Sequence, residues 1–136
     1  MKNEVRKFRQ ALDQIDWSTM PCQYREFPTG TCGDISDILA EHLYSLGYEG
    51  IEYVCGMLDE TSHAWLEIGE NAIDITADQF DSVTESVLFQ LPGIWHSRIE
   101  EQERRKAGYN QFQASEIFDL MMVHNKVNDI MKFEPL

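Results

Sequence analysis

Apolar residues recur every three or four positions in three segments of this sequence, residues 2–16, 34–46 and 115–132. This spacing places them along one face of a helix, so it predicts three amphipathic helices that pack on a core. The middle segment gives the strongest signal, because Gly47 follows it as a helix stop and Asp34 lies in its first turn, where the helix dipole favours a carboxylate. The helix over residues 2–16 is expected to be scaffold.

Between the second and third helices, the pattern changes to the alternation that is typical of strands. Residues 51–57 and 63–68 alternate and are rich in β-branched and aromatic side chains, and residues 72–76 form a third short run. We therefore predict an α+β fold, in which a small antiparallel sheet packs on the helix over residues 34–46.

The segment after residue 80 carries a weaker signal. Residues 86–91, closed by Pro92, are consistent with one more strand. Residues 99–106 are so highly charged that they are expected to form a solvated helix or loop. His96, beside Trp95, is expected at a pocket edge or on a surface loop, of which the surface loop is favoured.

Length and charge limit the range of functions. A chain of 136 residues with 43% hydrophobic positions suits one domain over residues 1–136. Its formal charge is −13, and residues 26–97 hold fourteen acidic side chains but no Lys or Arg. Because grooves for polyanions are built from positive side chains, we expect no nucleic-acid partner. A neutral or cationic substrate fits this charge better.

The cysteines and the N-terminal segment bear on the cell compartment. Cys22, Cys32 and Cys55 form no C-x-x-C pair and are odd in number, which favours reduced, intracellular thiols. The first residues lack the apolar stretch of a secretion signal, and no segment approaches the ~20 apolar residues that span a bilayer. The sequence therefore predicts a soluble, cytoplasmic protein without a membrane partner.

Cys32 is the candidate nucleophile. It follows a loop that contains glycine and precedes the strongest predicted helix, so its sulfur is expected at a helix N-terminus. Free backbone N–H groups and the helix dipole stabilise a thiolate there. The alternative for Cys32 is a small buried hydrophobic residue. Cys22 and Cys55 are expected to be structural.

His63 and Asp74 lie on neighbouring predicted strands. His63 begins its strand, which leaves a ring nitrogen free for a thiol, and Asp74 is an acidic residue inside a short apolar strand, where it needs a partner. A histidine N–H would be such a partner, and the pair would stabilise the charged imidazole in one tautomer. The alternatives are a packed histidine, and a carboxylate that faces water or accepts bonds from a turn.

The hairpin between these two strands decides whether the pair can form. His63 and Asp74 share a face when the turn has an even number of residues, and they are directly opposite when the hairpin is centred between Ile68 and Gly69. A tight turn at residues 70–71 would move Asp74 about 13 Å from His63. The pair is therefore predicted to need a β-bulge or a wider loop at Gly69.

Three short motifs resemble the core of the transglutaminase-like group within the papain-like cysteine enzymes. They are Phe27-Pro28-x-Gly30-x-Cys32-Gly33-x-x-Ser36, His63-Ala64-Trp65-x-Glu67 and Ile73-Asp74-x-Thr76. In that group, Cys, His and Asp occur in the same order, the Cys heads a helix, and the His and Asp lie on neighbouring strands. The resemblance covers roughly residues 27–80.

The resemblance implies a papain-like α+β core and a cofactor-free Cys-His-Asp triad for hydrolysis, deamidation or transamidation of a peptide or protein. Carried over residue by residue, Cys32 is the nucleophile, His63 is the general base and acid, and Asp74 orients His63. The group also contains members that keep the fold without the activity.

Four further residues are candidates for the cleft around this triad. Gln23 and Tyr24 are the side chains of the preceding loop that could join the Cys32 N–H in an oxyanion hole. Trp65 projects to the same face as His63 and would either shield the site from water or belong to the core. Gln79 would either line the cleft or lie in a turn after the third strand.

Two other function classes compete with an enzyme. One is a catalytically inactive binding module that recognises a basic partner through the acidic central block. The other is a zinc site of Cys32, His63 and Asp74, with Cys55 as a further ligand. Zinc is disfavoured, because structural zinc sites use a closely spaced ligand pair and the sequence has none.

Overall fold

Three α-helices lie within the part of the chain that a computed structural model describes, residues 1–91 and 93–133. They are α1 (Lys2–Asp13), α2 (Cys32–Ser45) and α3 (Ala114–Lys132). Each overlaps a segment with the predicted helical spacing, and α2 begins two residues earlier than predicted. The first ends earlier than predicted, because Asp16 accepts a hydrogen bond from the Ser18 N–H and starts a separate turn. Pro92, which was predicted to close a strand, lies outside the described residues.

Five strands form one antiparallel sheet within the described residues. They are β1 (Ile51–Leu58), β2 (Thr61–Ile68), β3 (Asn71–Asp74), β4 (Leu88–Gln90) and β5 (Glu100–Lys106), in the spatial order β4-β3-β2-β1-β5. The predicted α+β class with a small antiparallel sheet is therefore confirmed. Among the described helices, none combines the length and the apolar character needed to cross a bilayer.

The prediction of a helix or loop over residues 99–106 is wrong, because β5 pairs with β1 there. Its side chains are exposed or half-buried, so its sequence has no apolar face from which a strand could be recognised. Charged side chains suit an edge strand, since they discourage pairing with another chain. The register shifts between Cys55 and Gly56, and a Cβ on Gly56 would collide with the Glu100 carbonyl. Only glycine fits this close approach.

The sheet is buried on both faces around β2. On one face, Leu66 and Ile73 join the main core that the three helices cover. On the other face, Trp65 packs in a smaller core with Trp95 and Leu88. Residues 63–66 are consequently all buried, although a strand with one solvated face would expose every second residue. This second core surrounds the polar residues described below.

Two histidines at the helix packing have lowered pKa values. The His42 ring packs 5.0 Å from the Phe8 ring, measured between centroids, and its pKa is lowered by burial and then by the charge of His124. Nδ1 of His124 lies 2.6 Å from the Tyr109 hydroxyl, and burial also lowers the pKa of His124. The folded protein therefore favours both rings in the neutral form.

Acid is expected to destabilise the fold through these histidines. Because their folded-state pKa values lie below the unfolded value of about 6.5, the unfolded chain binds protons first. Their contribution is complete above about pH 6.5 and is lost as the pH falls below it. Urea unfolding at about pH 7.5 and about pH 5.5 measures this loss.

The matched variant is His42→Phe. Nε2 of His42 has no hydrogen-bond partner among the described residues, so the substitution removes a titrating group without breaking a bond at that atom. We expect a smaller acid-induced loss of stability than in the wild type. An equal loss would show that His42 does not carry the effect.

Candidate active site

Asp74 and His63 form a buried hydrogen-bonded pair where β3 ends. The β2–β3 hairpin turns through residues 69–70, and its register, continued by one residue, places Asp74 opposite Trp65. Asp74 is then diagonal to His63 on the same face of the sheet, a separation that a histidine ring can span. His63 Nε2 lies 2.6 Å from Asp74 Oδ2, and both side chains are fully buried.

Two expectations about this hairpin are corrected. The predicted bulge or wider loop at Gly69 is not needed, because the diagonal arrangement brings the two side chains together across a two-residue turn. The second strand begins at Thr61 rather than His63, so the histidine lies inside the strand. The prediction that an even-numbered turn places His63 and Asp74 on one face is confirmed.

Both carboxylate oxygens of Asp74 are hydrogen-bonded. Oδ2 is bonded to Nε2 of His63 and, at 2.7 Å, to Nε2 of His96. Oδ1 accepts a hydrogen bond from the Thr76 N–H at 3.1 Å. Burial disfavours the carboxylate, but His63 and then His96 outweigh it and lower the pKa of Asp74 to about 2. Asp74 is therefore a carboxylate at neutral pH.

His96 also contacts this pair, so the favoured expectation of a surface loop is wrong, and its contact with Asp74 was not predicted from the sequence. It is buried, with Nε2 against Asp74 and its ring 4.6 Å from the Trp65 ring. The turn His96–Arg98 carries it into the second core. The only signal for this position in the sequence is the neighbouring Trp95, since the segment has neither helical nor strand periodicity.

Cys32 is the first residue of α2. The Thr31 hydroxyl bonds the Pro28 carbonyl, and within the described chain no side chain caps the first turn of this helix. The N–H groups of the first turn of α2 are therefore free of side-chain caps at the helix end where Cys32 lies. The thiol is half-buried, and its contact with His63 raises the pKa of that ring.

The electrostatics of His63 follow from these neighbours. Burial disfavours its imidazolium, but Asp74 and, to a smaller extent, Cys32 outweigh burial and raise the pKa of His63 to about 9. At neutral pH, a charged imidazole is then held between a carboxylate and a thiol.

Gln79 lies beside the second nitrogen of His63. Gln79 Nε2 is 2.7 Å from Nδ1 of His63, and Gln79 Oε1 accepts a hydrogen bond from the Gly30 N–H at 3.4 Å. This contact suits a neutral ring, whereas the raised pKa of His63 favours a charged one with a proton on Nδ1. A half-turn of the carboxamide exchanges its two ends and gives that proton an acceptor. Of the weaker cleft candidates, Gln79 therefore contacts the histidine directly.

Aromatic rings enclose the histidine. The Phe80 and Trp95 rings are nearly perpendicular to the His63 ring at centroid distances of 5.1 and 5.9 Å, and the Trp65 ring is tilted from it by 19° at 6.2 Å. Trp65 is 3% exposed and belongs to the second core, which is one of the two roles considered for it. Removing water in this way strengthens the electrostatic interactions of the site.

Gln23 and Tyr24 have polar partners of their own. The Gln23 amide donates to Asp119 of α3 at 2.7 Å, and the Tyr24 hydroxyl donates to Asp34 of α2 at 2.8 Å. Both residues line an open pocket of about 360 Å³ between α2 and α3. The structure thus joins these side chains to carboxylates rather than to the His63 pair.

A buried arginine holds the segment that carries Gln79. Arg9 of α1 forms two parallel hydrogen bonds with Asp78, each of 2.9 Å, and also donates to the Ile75 and Ser86 carbonyls. Its guanidinium lies 4.9 Å from the Phe27 ring centroid. Sequence reasoning treated α1 as scaffold and missed this contact, which spans more than half of the chain.

The only described group of three possible metal ligands is His63, Asp74 and His96. This group contains His96, whereas the zinc site considered from the sequence contained Cys32 and Cys55. Ligand atoms around tetrahedral zinc, each ~2.0–2.1 Å from the metal, lie about 3.3 Å apart. The N···O distances of 2.6 and 2.7 Å are shorter than this and fit N–H···O bonds. The geometry therefore does not fit a zinc ion shared by these atoms.

Comparison with known proteins finds no matching family model, no matching curated protein and no matching solved structure.

Proposed function

We propose that this protein is a cysteine-dependent enzyme that hydrolyses or transfers the acyl group of an amide or thioester in a peptide or protein substrate. Cys32 is the nucleophile, His63 the general base and acid, and Asp74 the residue that orients His63. The observation that carries the proposal is that His63 is bonded to Asp74 through Nε2, while the same ring contacts the Cys32 thiol.

The reaction begins from the Cys32 thiolate paired with the protonated ring of His63. The thiolate attacks the carbonyl carbon, a C–S bond forms, and the electron pair of the C=O bond moves to oxygen. When this oxyanion collapses, the amine leaves with the proton from His63, and a thioester remains on Cys32. Water or an amine, deprotonated by His63, then attacks the thioester and regenerates the thiol.

The oxyanion needs donors that are in place before the reaction. We assign the Cys32 backbone N–H, in the uncapped first turn of α2, and the side-chain amide of Gln79. Gln23 and Tyr24 are weaker choices because their polar groups are bonded to Asp119 and Asp34, whereas the Gln79 amide lies beside His63. Removing one donor of this kind costs about 2.7–4 kcal/mol of the activation barrier.

The resemblance to the transglutaminase-like group supports the same reaction class. A helix that begins at Cys32 beside an antiparallel sheet that holds His63 and Asp74 is the arrangement implied by that resemblance. We therefore propose a papain-like core. The surplus of acidic side chains favours substrates that are neutral or basic.

Thiol reactivity tests the proposal. At about pH 6, iodoacetamide is expected to alkylate Cys32 about tenfold or more faster than the exposed Cys22, because only Cys32 adjoins an imidazolium. Cys55 is expected to react slowest, since burial and then Glu103 raise the pKa of its thiol. Peptide mass spectrometry gives all three rates in one protein.

Two variants control this experiment. His63→Gln removes the imidazolium and should bring the Cys32 rate down to that of Cys22, while Cys32→Ser should remove only the fast site. An acyl thioester should likewise leave its acyl group on Cys32.

Equal rates at Cys22 and Cys32 would favour the binding module, and stoichiometric zinc that is lost in Cys32→Ser would favour a metal site.

A further inference from the structure

Two histidines share one oxygen of Asp74. Nε2 of His63 lies 2.6 Å from Oδ2, and Nε2 of His96 lies 2.7 Å from the same atom. All three side chains are at most 1% exposed. A triad needs only the first of these contacts, so the second histidine requires its own explanation.

The two histidines differ at their other nitrogen. Nδ1 of His63 faces Gln79, and the ring also contacts Cys32. Nδ1 of His96 is buried and has no hydrogen-bond partner among the described residues. A second proton is therefore accommodated on His63, whereas on His96 it would be buried without an acceptor. His96 thus acts as an N–H donor to Asp74, and His63 is the ring that carries charge.

We propose, building on the proposed function, that His96 is a positioning residue that fixes the Asp74 carboxylate and shares its negative charge with His63. The second N–H···O bond fixes the orientation of the Asp74 carboxylate. It also takes up part of the negative charge of the carboxylate that would otherwise act on His63 alone. His96 thereby limits the basicity of His63, so that the catalytic ring can release its proton to a leaving group as well as hold it.

The surroundings of His96 support this role. The groups that face it are the Asp74 carboxylate of β3, His63 of β2 across that carboxylate, and the rings of Trp65 and Trp95. The Trp65 ring lies 4.6 Å from the His96 ring at an angle of 32°. This packing restrains the imidazole so that its Nε2 stays directed at Asp74.

The test is an NMR titration of the His63 ring in two variants. His96→Phe keeps the aromatic packing and removes the donor, and His96→Gln keeps an N–H donor. In His96→Phe we expect the titration midpoint of His63 to rise by about one pH unit, because Asp74 loses one charge-assisted hydrogen bond. In His96→Gln the midpoint should stay closer to that of the wild type.

A purely structural role would change stability and leave the His63 midpoint where it is. An unchanged midpoint in His96→Phe therefore overturns the proposal, and so does an equal shift in both variants. The titration does not depend on activity. A midpoint shift together with uniform alkylation of Cys22 and Cys32 would support the role of His96 and reject the proposed function. Fast alkylation of Cys32 without a midpoint shift would do the reverse.

Discussion

Replacing Asp74 by asparagine is expected to slow the acylation of Cys32 by a thioester between about 10²- and 10⁴-fold. Oδ2 of Asp74 accepts from two histidines and Oδ1 from the Thr76 N–H, so both oxygens must be acceptors. An amide turns its NH₂ group either toward the histidines or toward Thr76, and each orientation buries opposed donors. The substitution also removes the charge that outweighs burial, so the pKa of His63 falls and the thiolate loses its counterion.

The acylation rate of the folded variant across pH is the measurement, with circular dichroism to establish folding. In the wild type, the rate should decline as the pH rises through about 9, where His63 loses its proton. In Asp74→Asn, this decline should move to lower pH. Asp81→Asn changes an exposed acid in the same stretch of chain and should keep the wild-type rate. A folded Asp74→Asn protein with the wild-type rate would remove Asp74 from the mechanism.

The elements that sequence reasoning located are those with a local period. The stripe of α1, with Val5 and Phe8 fully buried, follows from 3.6-residue spacing, and β1 and β2 follow from alternation. The strand β5 could not be recognised in this way, because its pairing with β1 and not its own side chains makes it a strand. Its charged sequence is equally compatible with a solvated helix.

The same distinction, between local and non-local signals, applies to the residues of the candidate site. Cys32, His63 and Asp74 could be selected as candidates because each occupies a distinctive local position, at a helix start or on a strand. His96 and Arg9 have no such position. His96 reaches Asp74 across 22 residues of chain, and Arg9 reaches Asp78 across 69. Contacts between loops and distant elements leave no period in the sequence, so only coordinates reveal them.

The diagonal contact between His63 and Asp74 shows which part of the hairpin prediction was wrong. Sequence reasoning predicted the shared face correctly from the parity of the turn. It assumed that the partners must be directly opposite, although a histidine ring reaches a diagonal neighbour. The error lay in the assumed reach of the side chain rather than in the strand pattern.

Arg9→Met is expected to lower the free energy of unfolding by about 3–5 kcal/mol. Arg9 is 5% exposed, and it forms a bidentate ion pair with Asp78 while also satisfying the Ile75 and Ser86 carbonyls. Methionine retains much of the apolar volume of the side chain. It leaves the partly buried Asp78 without its cation, and it leaves two carbonyls without this donor. Urea unfolding measures the loss.

Arg6→Met is the matched control, because Arg6 lies exposed on the same helix and its replacement should change stability by no more than about 0.5 kcal/mol. Adding Asp78→Asn to Arg9→Met should recover part of the loss, since no uncompensated carboxylate then remains. Asp78 adjoins Gln79, so the broken clamp should also release the contact with His63 and reduce the selective alkylation of Cys32. If Arg9→Met were as stable and as selectively alkylated as Arg6→Met, then α1 would be scaffold alone, as its pattern predicts, and the position of Gln79 would depend on something other than Arg9.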